Sequence, residues 1–133
     1  MARYDVARLD EFDGVVKKLR RALGVTAFGV NATVYPPGYE GFYHYHDTQD
    51  ELYFVHSGIA RMEADGEVRT FGPGGLMHVE STTPRRVSNA SETDDLVILV
   101  IGGKDGYVER DGHMVDEDDI ARRAAFGSSA TEG

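Results

Sequence analysis

The sequence places two histidines, His44 and His46, one residue apart, and a glutamate, Glu51, five residues after the second. If residues 44–46 form a strand, both histidine side chains lie on the same face, because alternate residues of a strand share a face. The segment Asp-Thr-Gln-Asp at 47–50 predicts a turn, after which the strand carrying Glu51 would fold back beside the histidines. The spacing therefore predicts a hairpin on which three possible metal ligands converge.

Two neutral imidazoles and one carboxylate, with no thiolate, suit a divalent transition metal such as Fe, Mn, Ni, Cu or Zn. The same set of ligands forms non-haem iron sites that keep open coordination positions. A cation would compensate for placing three polar side chains next to the apolar run Leu52–Val55. The alternative interpretation is that histidines on an exposed hairpin carry no function, and these residues alone leave both interpretations open.

Short strands would have to position these side chains, and the sequence after Gly24 contains eight segments of strand character. They are Val25–Tyr35, Phe42–His46, Leu52–His56, Ile59–Ala64, Glu67–Phe71, Leu76–Glu80, Arg85–Val87 and Leu96–Ile101. Turn-forming residues separate them, and Asp65-Gly66 between two of them predicts a hairpin. Many short strands at close spacing predict an all-β fold, either an antiparallel sandwich or a barrel.

The N-terminal part of the chain shows helical spacing of apolar residues instead. The spacing predicts one short helix in residues 12–24, which ends before Gly24. Its apolar positions are Phe12, Val16, Leu19 and Leu23.

The chain after the last strand is rich in glycine and charge. Gly102–Gly112 predicts a loop or a small hairpin, and Asp116 predicts the cap of a short helix that contains Ile120, Ala121 and Ala124. The final residues, 127–133, are small and polar and predict disorder. The expected organisation is an N-terminal segment at 1–24, a β domain at 25–102 and a C-terminal extension at 103–133.

Composition limits the classes of partner. A chain of 133 residues fits one domain, and its formal charge of −9 would repel phosphate backbones and anionic lipids. The absence of cysteine removes disulfides and thiolate metal sites and is compatible with a reducing compartment. The first residues lack an apolar signal core, and the aliphatic run Leu96–Ile101 is too short to span a bilayer. We expect a soluble cytoplasmic protein that binds neither nucleic acid nor membrane.

The spacing around the histidines resembles the first motif of the cupins, which is a glycine, five residues, His-x-His, three or four residues, a glutamate, six residues and a glycine. The matching positions are Gly38, His44, His46, Glu51 and Gly58. The second cupin motif, aligned from Gly74, keeps the final asparagine as Asn89 but has Glu80 for its proline, Thr82 for its inner glycine and Arg85 for its histidine. The resemblance covers roughly residues 25–102 and implies an antiparallel jelly-roll β-barrel with short helices before and after it.

The substitution at Arg85 bears on the metal site that the resemblance implies. In cupins the second-motif histidine is the fourth metal ligand, whereas a guanidinium stays protonated and has no lone pair to donate. Three outcomes are open. Either the metal binds His44, His46 and Glu51 alone, or His78 acts as a reserve ligand, or Arg85 pairs with Glu51 and leaves a metal-free pocket for an anionic ligand.

The resemblance implies a protein that binds one divalent metal and a small organic ligand inside the barrel. Small cupins include oxygenases, isomerases and lyases, and the sequence identifies neither the reaction nor a catalytic residue. The second hypothesis is a non-catalytic small-molecule binder or sensor. Candidate ligand-binding residues are Arg85, Tyr53 and Gln49. Dimerisation through edge strands is also expected, with a homodimer in which residues before Tyr35 supply an exchanged strand.

Overall fold

Ten β-strands form two antiparallel sheets in the computed structural model, which describes residues 4–126. The first sheet has the strand order β1 (Val16–Lys18), β2 (Gly29–Tyr35), β9 (Leu96–Gly103), β4 (Asp50–Ser57) and β7 (Leu76–Val79). The second has the order β10 (Gly112–Met114), β3 (His44–His46), β8 (Arg85–Asn89), β5 (Ala60–Ala64) and β6 (Glu67–Phe71). The all-β prediction is confirmed, although the two sheets are not closed into one continuous barrel.

The core lies between the sheets, where alternate residues of the strands point inward. Strand β9 alternates buried and half-buried residues along its whole length, so Leu96, Ile98 and Val100 enter the core. Strand β4 contributes Tyr53 and Val55 to the same cluster. Each of the eight predicted strands is present, and the predicted hairpin turn joins β5 to β6. Period-two patterning therefore predicted the elements that carry the site.

The N-terminal helix predicted for residues 12–24 is largely wrong. Only α1 (Arg20–Leu23) is helical there, preceded by a short 3-10 turn at Leu9–Glu11 and by β1, which pairs with β2 of the same chain. Gly14 adopts a left-handed backbone conformation (φ 82°), which interrupts a helix at this point. Gly24 ends α1 as predicted, with φ 69° and an N–H that bonds back to the helix.

The predicted apolar residues of this segment are nevertheless used in packing. Leu19 is buried on the outer face of the first sheet with Val30 and Ala32, and Phe12 and Leu23 pack against the same cluster. A mostly extended chain therefore covers this face, because the apolar spacing is satisfied without a helix.

The C-terminal extension adds a strand and a helix to the second sheet. Strand β10 pairs with β3, and α2 (Glu117–Phe126) follows it. Asp116 caps this helix as predicted, since its carboxylate accepts the Asp118 N–H at 3.0 Å. Asp119 fixes the helix to the sheet by accepting the Tyr43 N–H at 2.7 Å and pairing with Arg86 at 3.1 Å.

Three predictions about the chain as a whole remain predictions. The division at residues 24 and 102 is one, and the disorder predicted for 127–133 concerns residues outside those described. Within residues 4–126 no helix combines the length and apolar character needed to cross a bilayer. The cytoplasmic location also stays a prediction.

Candidate metal centre

His44, His46 and Glu51 converge in the space between the two sheets. One potential ligand atom from each lies within 4.8 Å of the others. His46 Nε2 is 3.2 Å and His44 Nε2 is 3.8 Å from the same carboxylate oxygen, Glu51 Oε1. The structure therefore brings together the three side chains that the spacing selected.

The connection between these residues differs from the predicted hairpin. Strand β3 pairs with β8 and β10, whereas β4 pairs with β7 and β9, so residues 47–49 carry the chain from one sheet to the other. The histidines and Glu51 meet because they lie on the inner faces of opposite sheets. The predicted hairpin is wrong, and the convergence inferred from it arises instead from the packing of the two sheets.

Glu51 Oε1 is the centre of a buried network of polar groups. Tyr53 donates its hydroxyl to this oxygen at 2.6 Å, and Arg85 Nη2 donates to it at 2.8 Å. Burial raises the pKa of Glu51, but hydrogen bonding to His44 and His46 outweighs that effect and holds the pKa well below its usual range. Glu51 is thus an ionised carboxylate, as a metal ligand must be.

Arg85 lies directly opposite His44 in the register between β8 and β3, and its side chain is fully buried. All three guanidinium nitrogens donate to protein acceptors. Nε bonds Tyr53 Oη at 3.3 Å, Nη1 bonds the carbonyls of Ser81 and Thr83 at 2.9 and 2.8 Å, and Nη2 bonds Glu51. The third outcome considered from the sequence, an Arg85–Glu51 pair, is therefore present as an arrangement of side chains.

Asp111, the residue immediately before β10, also lies in the site. Its Oδ1 lies 2.8 Å from His46 Nδ1, and it also accepts N–H groups from Thr48 and Gln49. Burial raises the pKa of Asp111, but the hydrogen bonds from Gln49 and Thr48 dominate and lower it to about 2. Sequence analysis missed this residue, because it lies 65 positions from His46 in a segment that predicted only a loop or small hairpin.

The other acidic contact of His46 is Glu51, and together the two carboxylates control its protonation. Burial lowers the pKa of His46, but the neighbouring Glu51 and Asp111 outweigh burial and raise it. Arg85 acts in the opposite direction and limits the shift. The pocket therefore favours a positive charge at or beside His46.

The tautomers of both histidines fit a metal ion. His44 Nδ1 lies 3.0 Å from the Phe42 carbonyl, and His46 Nδ1 faces the Asp111 carboxylate. Both partners only accept, so in each neutral ring Nδ1 carries the proton and Nε2 keeps its lone pair. Both Nε2 atoms face Glu51 Oε1, at 3.8 Å for His44 and at 3.2 Å for the buried His46. Two lone pairs that face each other at this distance require a proton or a cation between them.

The remaining predicted residues divide into two groups. Tyr53 and Gln49 are buried next to the centre, where Tyr53 bridges Glu51 to Arg85 and the Gln49 amide donates to Asp111 at 2.7 Å. His78 is not brought to the centre. It is exposed and lies opposite Leu52 in the register of β7 and β4, on the face that points away from Glu51. The reserve ligand therefore has no route to the site in this fold.

A family comparison and solved structures place this arrangement among known folds. The family model described as Cupin domain matches residues 32–102. A cupin protein from Bacteroides fragilis is 23% identical, with a TM-score of 0.68, over 82% of this chain and 91% of that chain. A sugar phosphate isomerase from a cupin superfamily, from Silicibacter pomeroyi, is 21% identical, with a TM-score of 0.66, over 87% and 78%.

A lyase structure also shares the fold. The DMSP lyase DddQ from Ruegeria pomeroyi is 22% identical, with a TM-score of 0.58, over 67% of this chain and 43% of that chain. At these identities the likeness shows the fold alone. No curated protein sequence matches the chain.

Proposed function

The chain belongs to the cupin domain family, and from this premise we propose that it binds one divalent transition metal through His44, His46 and Glu51 and a small organic ligand beside it. The observation that carries the proposal is the convergence of His44 Nε2 and His46 Nε2 on one oxygen of the ionised Glu51, at 3.8 and 3.2 Å. A metal ion bound by these groups would take the place of a proton shared between His46 and Glu51. The donor set suits Fe, Mn, Ni, Cu or Zn.

The charges around the centre indicate the class of organic ligand. Glu51 and Asp111 each contribute one negative charge and Arg85 one positive charge, which leaves one negative charge uncompensated. A divalent metal would change that balance to one positive charge. Buried charges are stable only when they are paired, so the loaded site favours a small organic ligand with one negative charge.

The residues around the three proposed ligands fix the orientation and the protonation of their side chains. Arg85 and Tyr53 fix the orientation of Glu51 and help to keep it ionised, while Asp111 and the Phe42 carbonyl hold the Nδ1 protons. A bound metal would supply Lewis-acid polarisation of an oxygen on the organic ligand. Isomerase or lyase chemistry, which the names of two similar structures describe, and oxygenase chemistry are the reaction classes that we propose for such a site.

The second candidate function is a metal-free binder or sensor. The Arg85–Glu51 pair at 2.8 Å favours it, because this pair compensates the buried carboxylate without a metal. However, an anionic ligand recognised by Arg85 would have to compete with Glu51, Tyr53 and two loop carbonyls for the guanidinium. We therefore rank metal binding first.

Elemental analysis of protein purified without a histidine tag, after incubation with each candidate metal, tests the proposal. The wild type should retain one metal per chain, and His44→Ala should lose it. His78→Ala is the matched control, because this histidine is exposed on the outer face and should leave metal content unchanged. A wild type that retains none of the five metals would transfer the assignment to the metal-free binder.

We also propose a homodimer, on the basis of the family resemblance. In the described residues the sheet edges open to a partner strand are β1 and β7 in the first sheet and β10 and β6 in the second. Unpaired edge strands are favourable places for strands of another chain to pair. Light scattering coupled to size-exclusion chromatography would give the mass that decides between one chain and two.

A further inference from the structure

The side chain of His46 is completed by a residue from the C-terminal extension. Strand β10 pairs with β3 so that Gly112 lies opposite His46, which places the preceding residue, Asp111, at the end of the imidazole ring. The distance from His46 Nδ1 to Asp111 Oδ1 is 2.8 Å, and the ring is almost wholly buried. Asp111 lies outside residues 32–102, the part of the chain that matches the cupin domain model.

The other contacts of Asp111 fix its orientation. Oδ2 accepts the backbone N–H groups of Thr48 at 2.7 Å and Gln49 at 3.0 Å. Oδ1 also accepts the side-chain amide of Gln49 at 2.7 Å. These groups can only donate, so they hold an ionised carboxylate with one oxygen directed at the imidazole. The Asp47 N–H also donates to the Asp111 carbonyl at 3.2 Å, so all four residues from 46 to 49 are tied to one residue of the extension.

An ionised carboxylate at Nδ1 determines what Nε2 can do. The carboxylate only accepts, so Nδ1 must donate, and a neutral His46 is left with its lone pair on Nε2, the atom that faces Glu51. His44 has a weaker partner at the same atom, the neutral carbonyl of Phe42 at 3.0 Å. The two histidines are therefore unequal, and His46 is the more electron-rich of the pair.

We propose that Asp111 is a positioning residue that sets the tautomer and the donor strength of His46. The C-terminal extension would thereby contribute a functional residue to the proposed metal centre. The proposal deepens the proposed function and rests on it as far as metal affinity is concerned. Loss of a carboxylate that supports a metal-bound histidine typically weakens metal binding by about 10- to 100-fold. A carboxylate that served the fold alone would leave the tautomer and the relative affinity unchanged.

The first measurement uses nitrogen-15 NMR of the metal-free wild type at alkaline pH, where the imidazoles are neutral. Long-range proton–nitrogen couplings identify which nitrogen of His46 carries the proton. We expect Nδ1–H in the wild type and a shift of population toward Nε2–H in Asp111→Asn. A wild type with Nε2–H as its main form would overturn the proposal, and this result needs neither metal nor a folded variant.

The second measurement is calorimetric titration with Ni²⁺. Asp111→Asn should bind it about 10- to 100-fold more weakly than the wild type. Asp47→Asn is the control, because it removes one acidic charge at the same end of β3, where the side chain is exposed and pairs with His113 rather than His46; its affinity should be unchanged. Equal affinity of Asp111→Asn and wild type would overturn the proposal. If the wild type binds no Ni²⁺ or other candidate metal, the proposed function fails, whereas the NMR result still decides the role of Asp111.

Discussion

Arg85 donates a 2.8 Å hydrogen bond to Glu51 through the same carboxylate oxygen that faces both histidines. The arginine stands where the second cupin motif has its fourth ligand, and it lies opposite His44 in the sheet. This chain therefore has, at the motif position of a direct ligand, a residue that binds Glu51, one of the proposed ligands. The carboxylate is shared between a permanent protein cation and the place where a metal would bind.

Arg85→Met should lower the free energy of unfolding of the metal-free protein by about 3–5 kcal/mol, because removing one partner leaves a buried charge uncompensated. The loss should be smaller with saturating Ni²⁺, since the metal would compensate Glu51. Urea denaturation with and without the metal measures both values. Arg69→Met removes an arginine from an exposed pair with Glu67 and should change stability by less than about 0.5 kcal/mol. An equal loss for Arg85→Met in both conditions would contradict this account of the site.

Tyr53→Phe removes the hydroxyl that links Glu51 to Arg85. We expect a loss of about 1–3 kcal/mol in the free energy of unfolding, because two buried charged groups each lose a hydrogen-bond partner. Tyr45→Phe is the control, since the Tyr45 ring stacks on exposed His113 away from the centre. Comparable losses for both variants would show that the Tyr53 hydroxyl has no special role.

The stability that Asp111 provides should depend on pH in a defined direction. Its pKa is lowered in the folded protein to about 2 by the hydrogen bonds it accepts, against about 3.9 for an unperturbed aspartate. The unfolded chain therefore takes up the proton first as the pH falls, so the contribution is complete above about pH 4 and disappears toward pH 2. The difference in unfolding free energy between wild type and Asp111→Asn should shrink as the pH falls from about 4 toward 2, whereas a change between pH 7 and 5 reflects the effect of Asp111 on the pKa of His46. A difference that stays constant to pH 3 would refute this assignment.

Asn89, the asparagine kept from the second motif, should prove structural. Its buried amide donates to the carbonyls of Tyr35, Pro36 and Asp94 and accepts the Ser91 N–H. Asn89→Ala leaves these groups without their partner and should cost at least about 1–3 kcal/mol in unfolding free energy. Metal content per folded chain should not change, because no ligand contacts this residue. A loss of metal in a fully folded variant would assign Asn89 a role in the site.

The strands and the common face of the two histidines were predictable because they depend on local information. Period-two alternation located the eight strands, and the His-x-His spacing fixed a common face for His44 and His46 before any pairing was known. The route of the chain between His46 and Glu51 was not predictable, because a short turn can join two strands of one sheet or pass between two sheets.

Residues that act through long-range pairing were beyond the sequence. Asp111 is separated from His46 by 65 positions, and only the register of β10 on β3 brings them together. His78 failed as a reserve ligand for the same reason, since its orientation depends on pairing with Leu52. The helix predicted near Phe12 and Leu23 failed because sheet coverage by an extended chain satisfies the same apolar positions.

The position of Asp111 outside the matched domain also bears on how such proteins diversify. Both imidazoles lie within the matched domain, whereas the carboxylate proposed to govern the basicity of one of them comes from the C-terminal extension. If Asp111 has this role, a change confined to the extension would alter the electron-donating power of His46 alone. Replacing the extension would then alter the preferred metal while every residue of the matched domain stays the same.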